Sequence, residues 1–181
     1  MTTTVEWQDI APNSSLAEFA AQNNLEIQSL NRFQGALILP TNTALGKPVE
    51  QHLFSPGAKE LLFVLRESGV NADLYQDSRE RRELVLKSAT VVLPMVYFVG
   101  GVASTVVLGV LSNWIYDRFV KKKQSEEPTI IKYEYAALKP DGSVRWRRVE
   151  GPADQVSALL LQESKCDQST NRKKGSRKPK R

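Results

Sequence analysis

From Ser88 to Tyr116 the chain carries no charged side chain, although charged residues make up 25 % of the whole sequence. That interval constrains the fold more than any other feature. A bilayer core about 30 Å thick needs roughly 20 mainly apolar helical residues, and residues 89–111 satisfy that length. Arg81, Arg82 and Lys87 precede the interval, and Trp114, Tyr116, Arg118 and Lys121 to Lys123 close it, which suits a membrane interface. The expectation is one long apolar helix over residues 89–120, membrane-associated, with a transmembrane span as the leading form. The soluble alternative is a buried strand at Thr90 to Leu93 followed by a core helix, with Pro94 in the helix's first turn, where its missing N–H costs nothing. A helix that is apolar all round must be enclosed by protein or lipid. Gly101, Thr105 and Gly109 recur every four residues along it, so they share a face on which another backbone can approach closely. That face is expected to support a homo-oligomer, with packing inside the chain as the alternative.

The composition excludes several chemistries. With one cysteine (Cys166) and one histidine (His52), the chain forms no internal disulfide and assembles no Cys/His zinc cluster. Glycine-rich phosphate loops with a following lysine are missing, because Gly100-Gly101 fits neither nucleotide fingerprint. His52 sits in a proline-bounded loop with no local nucleophile or orienting group, so packing or surface exposure is the simpler reading. The expectation is a non-enzyme with no cofactor, no metal and no catalytic residue. Met1 to Ser15 lacks a basic segment followed by an apolar one, so secretion is not expected and a cytoplasmic location is the alternative to the membrane.

The net charge of +5 is unevenly placed. Residues 1–111 carry eight Lys/Arg against eleven Asp/Glu, and residues 112–181 carry seventeen against nine. Residues 165–181 hold eight of those cations and one acid, Asp167, without an aliphatic or aromatic side chain. Such a segment is expected to be disordered and, through Arg172, Lys173, Lys174, Arg177, Lys178, Lys180 and Arg181, to attract nucleic acid or anionic lipid.

Elsewhere the local signals indicate an α+β chain. Ser14 and Ser15 can cap a helix burying Leu16, Phe19 and Ala20, stopped by Asn23-Asn24, with a second short helix through Ile27 and Leu30. Pro56-Gly57-Ala58 opens a helix whose Leu61, Leu62, Val64 and Leu65 are apolar, with Gly69 as its stop. Residues 71–75 and 83–87 read as short strands. After a linker at 124–128, Ile131, Tyr133 and Tyr135 alternate with polar residues, Lys139-Pro140-Asp141-Gly142 supplies turn chemistry, and Val144 and Trp146 alternate with arginines. That is a hairpin, with the aromatics expected on one face and most arginines on the other. Gly151-Pro152-Ala153-Asp154 then starts a helix through about Gln162, and the ββα unit is too small to stand alone, so it docks on the rest of the chain or on another copy. The resulting division is 1–88 as a mixed region, 89–120 as the apolar helix, 129–162 as the ββα module and 163–181 as the tail.

Two resemblances accompany this reading. Ser15-Leu16-Ala17-Glu18-Phe19-Ala20, Leu25 and Leu30, followed by Gly35-Ala36-Leu37-Ile38-Leu39-Pro40, resemble the paired helices and closing strand of LysM glycan-binding modules, although Gln34 stands where that family usually has asparagine. The same cadence fits the first two helices of a helix-turn-helix. The apolar segment ending Ser112-Asn113-Trp114-Ile115-Tyr116-Asp117, followed by the ββα unit, is similar to short bacterial proteins of that layout, a likeness that implies no activity. The reading that results is a non-catalytic, membrane-anchored interaction or effector subunit that self-associates through its apolar helix. The alternative is a soluble nucleic-acid-binding accessory protein that uses the basic tail.

Overall fold

The computed structural model of the protein describes residues 5–41, 52–77, 80–83, 90–99, 102–122 and 128–174. Ser15 opens the first helix as its N-cap: its hydroxyl accepts from the Glu18 N–H at 3.2 Å while the Glu18 carboxylate accepts from the Ser15 N–H at 2.8 Å, a reciprocal capping box. Strand β1 (Gln8–Ser15) therefore runs straight into helix α1 (Leu16–Gln22), which is followed by α2 (Ile27–Arg32) and β2 (Ala36–Leu39). Only glycine fits at residue 35, because a Cβ there would overlap the Asn71 carbonyl that receives the Ala36 N–H at 2.9 Å.

After β3 (His52–Phe54), helix α3 (Ala58–Glu67) returns the chain to β4 (Ala72–Leu74), which lies parallel to β2. Strand β5 (Arg81–Glu83) pairs with β3 in a small separate sheet. Of the strand expected at 83–87, Glu83 lies in β5 and residues 84–87 lie outside the described residues.

The uncharged interval is not one long helix. Its first part forms β6 (Thr90–Val92) and β7 (Met95–Val99), both parallel to β8 (Ile130–Leu138). Val92 lies opposite Lys132 and Val96 opposite Tyr135, so one extra residue is accommodated around Leu93-Pro94 as a bulge. The physical reason is local: Thr90, Val91, Val92, Val96, Tyr97, Phe98 and Val99 are β-branched or aromatic, types that favour a pleated, buried surface. Proline takes the position where ladder pairing is already broken. Helix α4 (Val102–Ile115) follows, continuing as a π-helical stretch at Tyr116–Val120. Fourteen residues rise about 21 Å, short of the roughly 30 Å bilayer core. No helix among the described residues is long and apolar enough to cross a membrane, so the transmembrane expectation is not supported.

Strands β8 and β9 (Ser143–Pro152) form the expected hairpin, and its docking completes the main sheet in the order β1-β9-β8-β7-β2-β4, with β6 beside β8. The ββα unit is thus continuous with the N-terminal region rather than a separate body. Tyr135 faces Arg147 and Ala136 faces Trp146 across the hairpin. Directly opposed residues share a face, so Trp146 lies on the opposite side from Tyr133 and Tyr135, contrary to the single aromatic face expected. Both faces are covered, which is why alternation misleads here. Phe19 from α1 stacks on Tyr97 and meets Trp146 edge-on, while Phe98 stacks on Tyr135 beneath the layer formed by α3, α4 and α5.

The last helix, α5 (Ala153–Lys174), extends well beyond Gln162. Its extension is anchored by Glu163, whose carboxylate accepts from Arg147 at 2.8 Å and from the Tyr135 hydroxyl at 3.4 Å and forms an ion pair with Arg145 at 3.1 Å. Residues 175–181 lie outside the described residues.

Burial pushes the Tyr97 phenol up to about 12 and those of Tyr133 and Tyr135 further upward, the latter two also repelled by Tyr135 and Glu163 respectively. A phenol raised above its unfolded value of 10.0 gives stability that is complete below pH 10 and is lost as pH rises through the folded value. An alkaline titration followed by phenolate absorbance and circular dichroism is therefore expected to show these rings ionising together with unfolding, from pH 10 to about 12 and above, and not before it.

Candidate functional site

On α4 the three small residues proposed for close packing are distributed as follows. Thr105 and Gly109 are half-buried, a Cβ built on Gly109 meets nothing within 4 Å, and Gly101 lies outside the described residues. Packing inside the chain uses a neighbouring stripe instead: Ser112 donates to the Ser157 carbonyl at 2.7 Å, and the Ser157 hydroxyl donates back to the Ser112 carbonyl at 3.0 Å. Two small serines let α4 and α5 approach closely while satisfying their hydroxyls. The other side of α4 is left open, with Val106 40 % exposed. Phe63 on α3 (63 %), Tyr116 in the π-helical stretch (50 %) and Leu161 on α5 (40 %) are exposed on elements of the same layer.

Of the seven basic residues singled out, Arg172, Lys173 and Lys174 fall in the last turn of α5, and Arg177, Lys178, Lys180 and Arg181 lie outside the described residues. Cys166 is exposed on α5.

His52 has the orienting partner that the surrounding sequence did not offer. Its Nε2 lies 2.7 Å from the Asp77 carboxylate, and both side chains are almost fully buried. The ring meets Tyr75 edge-on at 5.3 Å, and Nδ1 has no hydrogen-bond partner among the described residues. Three residues on, the Ser55 hydroxyl donates to the Val92 carbonyl at 2.7 Å. The His52–Asp77 pair pins β3 to the turn after β4.

A cavity of about 490 Å³ opens at the N-terminus of α3. Gly57 occupies the N-cap with φ +97°, a left-handed conformation that favours glycine, and a Cβ there would also crowd the Trp114 ring at 3.3 Å. Glycine offers no capping side chain, so the first-turn N–H groups of α3 lack that partner. Glu60 is held from two directions, by the Trp114 indole N–H at 3.1 Å and by an ion pair with Arg118. Arg118 lies 5.7 Å from the Trp114 ring centre and 5.6 Å from that of Phe119, a cation–π arrangement that fixes its guanidinium. Lys59, Arg81, Arg82 and Glu83 complete the polar lining. Sequence reasoning missed this site because its residues come from β3, α3, β5 and the π-helical stretch; Gly57 after Pro56 was the local signal, read only as a helix start.

No family model, curated protein or solved structure matches the chain.

Removing the Asp77 carboxylate leaves His52 Nε2 without that partner in the core. Asp77→Ala is expected to lower unfolding stability by about 1–3 kcal/mol in urea titration, the cost of stranding a buried polar group. A loss well below that range would remove the pair from the account of β3.

Proposed function

We propose that the protein is a non-catalytic interaction subunit that self-associates across the open side of α4. The observation carrying this reading is the unfinished burial of a helix that has no charged residue: α5 and the sheet cover one side, while Val106 and the space above Gly109 remain open. An all-apolar helix is stable when enclosed, and a second copy of the same face supplies matching small and branched side chains. Phe63, Tyr116 and Leu161 extend the apolar character of the layer. Both Val106→Glu and Gly109→Leu alter this side, where Val106 is 40 % exposed and a Cβ at Gly109 meets nothing within 4 Å. Sedimentation equilibrium is expected to show a wild-type oligomer and monomeric variants, with thermal midpoints retained. A wild-type chain that stays monomeric at high micromolar concentration ends the reading.

A second reading, nucleic-acid binding through the basic C-terminal residues, draws support from the continuation of α5, which carries Arg172 to Lys174 on a helix anchored at Glu163. Charge-driven binding falls as salt rises, through counterion release. Deleting residues 172–181 is expected to abolish salt-sensitive binding of a single-stranded RNA in a polarisation assay while leaving the fold intact; equal binding by both chains removes the tail from this role.

A further inference from the structure

The cavity at the start of α3 belongs to neither reading above, and its chemistry is specific. We propose that it binds a phosphate-bearing small molecule of mononucleotide size. Its volume of about 490 Å³ lies within the range of small-ligand pockets. Four cationic side chains line it against two acids. One of those acids, Glu60, is already neutralised by Arg118 and the Trp114 indole, leaving Glu83 as the single lining carboxylate outside that clamp. Lys59 and Arg81 have no ion-pair partner among the described residues, so they are free to engage an incoming anion. Arg82 is paired only with the exposed Glu80 carboxylate at 3.3 Å, a contact weak enough to exchange for a phosphate.

The shape divides the ligand in two. The cationic side chains suit the phosphate, and the Lys59 and Glu60 N–H groups of α3 add to them, the Ala58 N–H being taken by the Ser55 carbonyl at 3.1 Å, since first-turn N–H groups and the helix dipole both favour negative charge. Phe54, Pro56 and Leu74 form an apolar wall on which a flat base or another apolar group can rest. Inorganic phosphate alone leaves that wall uncovered, whereas a purely apolar ligand leaves Lys59 and Arg81 unanswered.

The test is isothermal titration calorimetry on the full chain with ADP, GDP, CDP, UDP and inorganic pyrophosphate, repeated on the Lys59→Ala/Arg81→Ala double variant. Neither side chain supports a packed contact used elsewhere in the fold, and circular dichroism confirms that the variant is folded. At least one nucleoside diphosphate is expected to bind one-to-one, more tightly than pyrophosphate. The double variant is expected to bind it at least roughly tenfold more weakly, since charge-assisted hydrogen bonds to phosphate are lost. No heat from any of the five at millimolar concentration overturns the proposal. So does equal affinity in the folded double variant, or pyrophosphate binding as tightly as every nucleotide.

Discussion

The parallel pairing of β7 with β8 is the constraint from which the rest of the architecture follows. Parallel neighbours cannot be joined by a tight turn, so the chain between them must leave the sheet, travel back along one face and re-enter on the starting side. Helix α4 is that return path, and its position beneath the sheet follows from the connection rather than from any membrane. Once β8 is in place, the four-residue turn at Lys139-Pro140-Asp141-Gly142 sends β9 back antiparallel, and β1 closes the edge beside it. The bulge at Leu93-Pro94 lets β6 and β7 both follow β8 despite their different registers.

The polar groups inside this frame join elements distant in sequence. Glu134, buried on the α1 side of the sheet, accepts from the Trp146 indole at 3.1 Å and from Arg148 at 2.7 Å, so the hairpin is fastened by side chains as well as by its ladder. On the opposite side Arg147 bridges Asp9 in β1 and Glu163 in α5, both at 2.8 Å. A buried carboxylate without such partners would carry a large desolvation cost, and with them it discriminates one register from a slipped one. A one-residue slip of β9 would exchange the faces of Trp146 and Arg147 and break both sets together.

Where a signal was local, the sequence was legible. Ser15 and Glu18 stand at the spacing of a capping box, Pro140 and Gly142 mark the hairpin turn, and Gly69 ends α3; each works through neighbours a few residues away. The uncharged interval was ambiguous because charge and hydropathy report burial, not the conformation in which burial happens. A strand buried on both faces and a membrane helix share that composition, and only the β-branched and aromatic density of residues 90–99 separated them. The faces of the hairpin failed for a related reason, since alternation identifies an inner face only when the other is wet. Glu163 fell past the last aliphatic position of α5 and was assigned to the tail, although its partners Arg145 and Arg147 lie in the preceding strand. The cavity could not be read at all, because it exists only once α3, β5 and the end of α4 have been brought together.

The π-helical stretch shows how one local irregularity serves that assembly. Along an α-helix, residues five apart are separated by about 140° around the axis, so Trp114 and Phe119 would point away from each other. Widening the turn, marked by the Lys121 N–H donating to the Tyr116 carbonyl at 2.9 Å, moves position 119 back under position 114. The two rings then meet edge-on at 6.2 Å, and Arg118 lies within reach of both. Trp114 can consequently do three things at once: cover Gly57, donate to Glu60 and hold Arg118 by its ring. The glycine that α3 requires at its N-cap and the distortion that ends α4 are two halves of one contact, from which Gly57, Glu60 and Arg118 line the cavity.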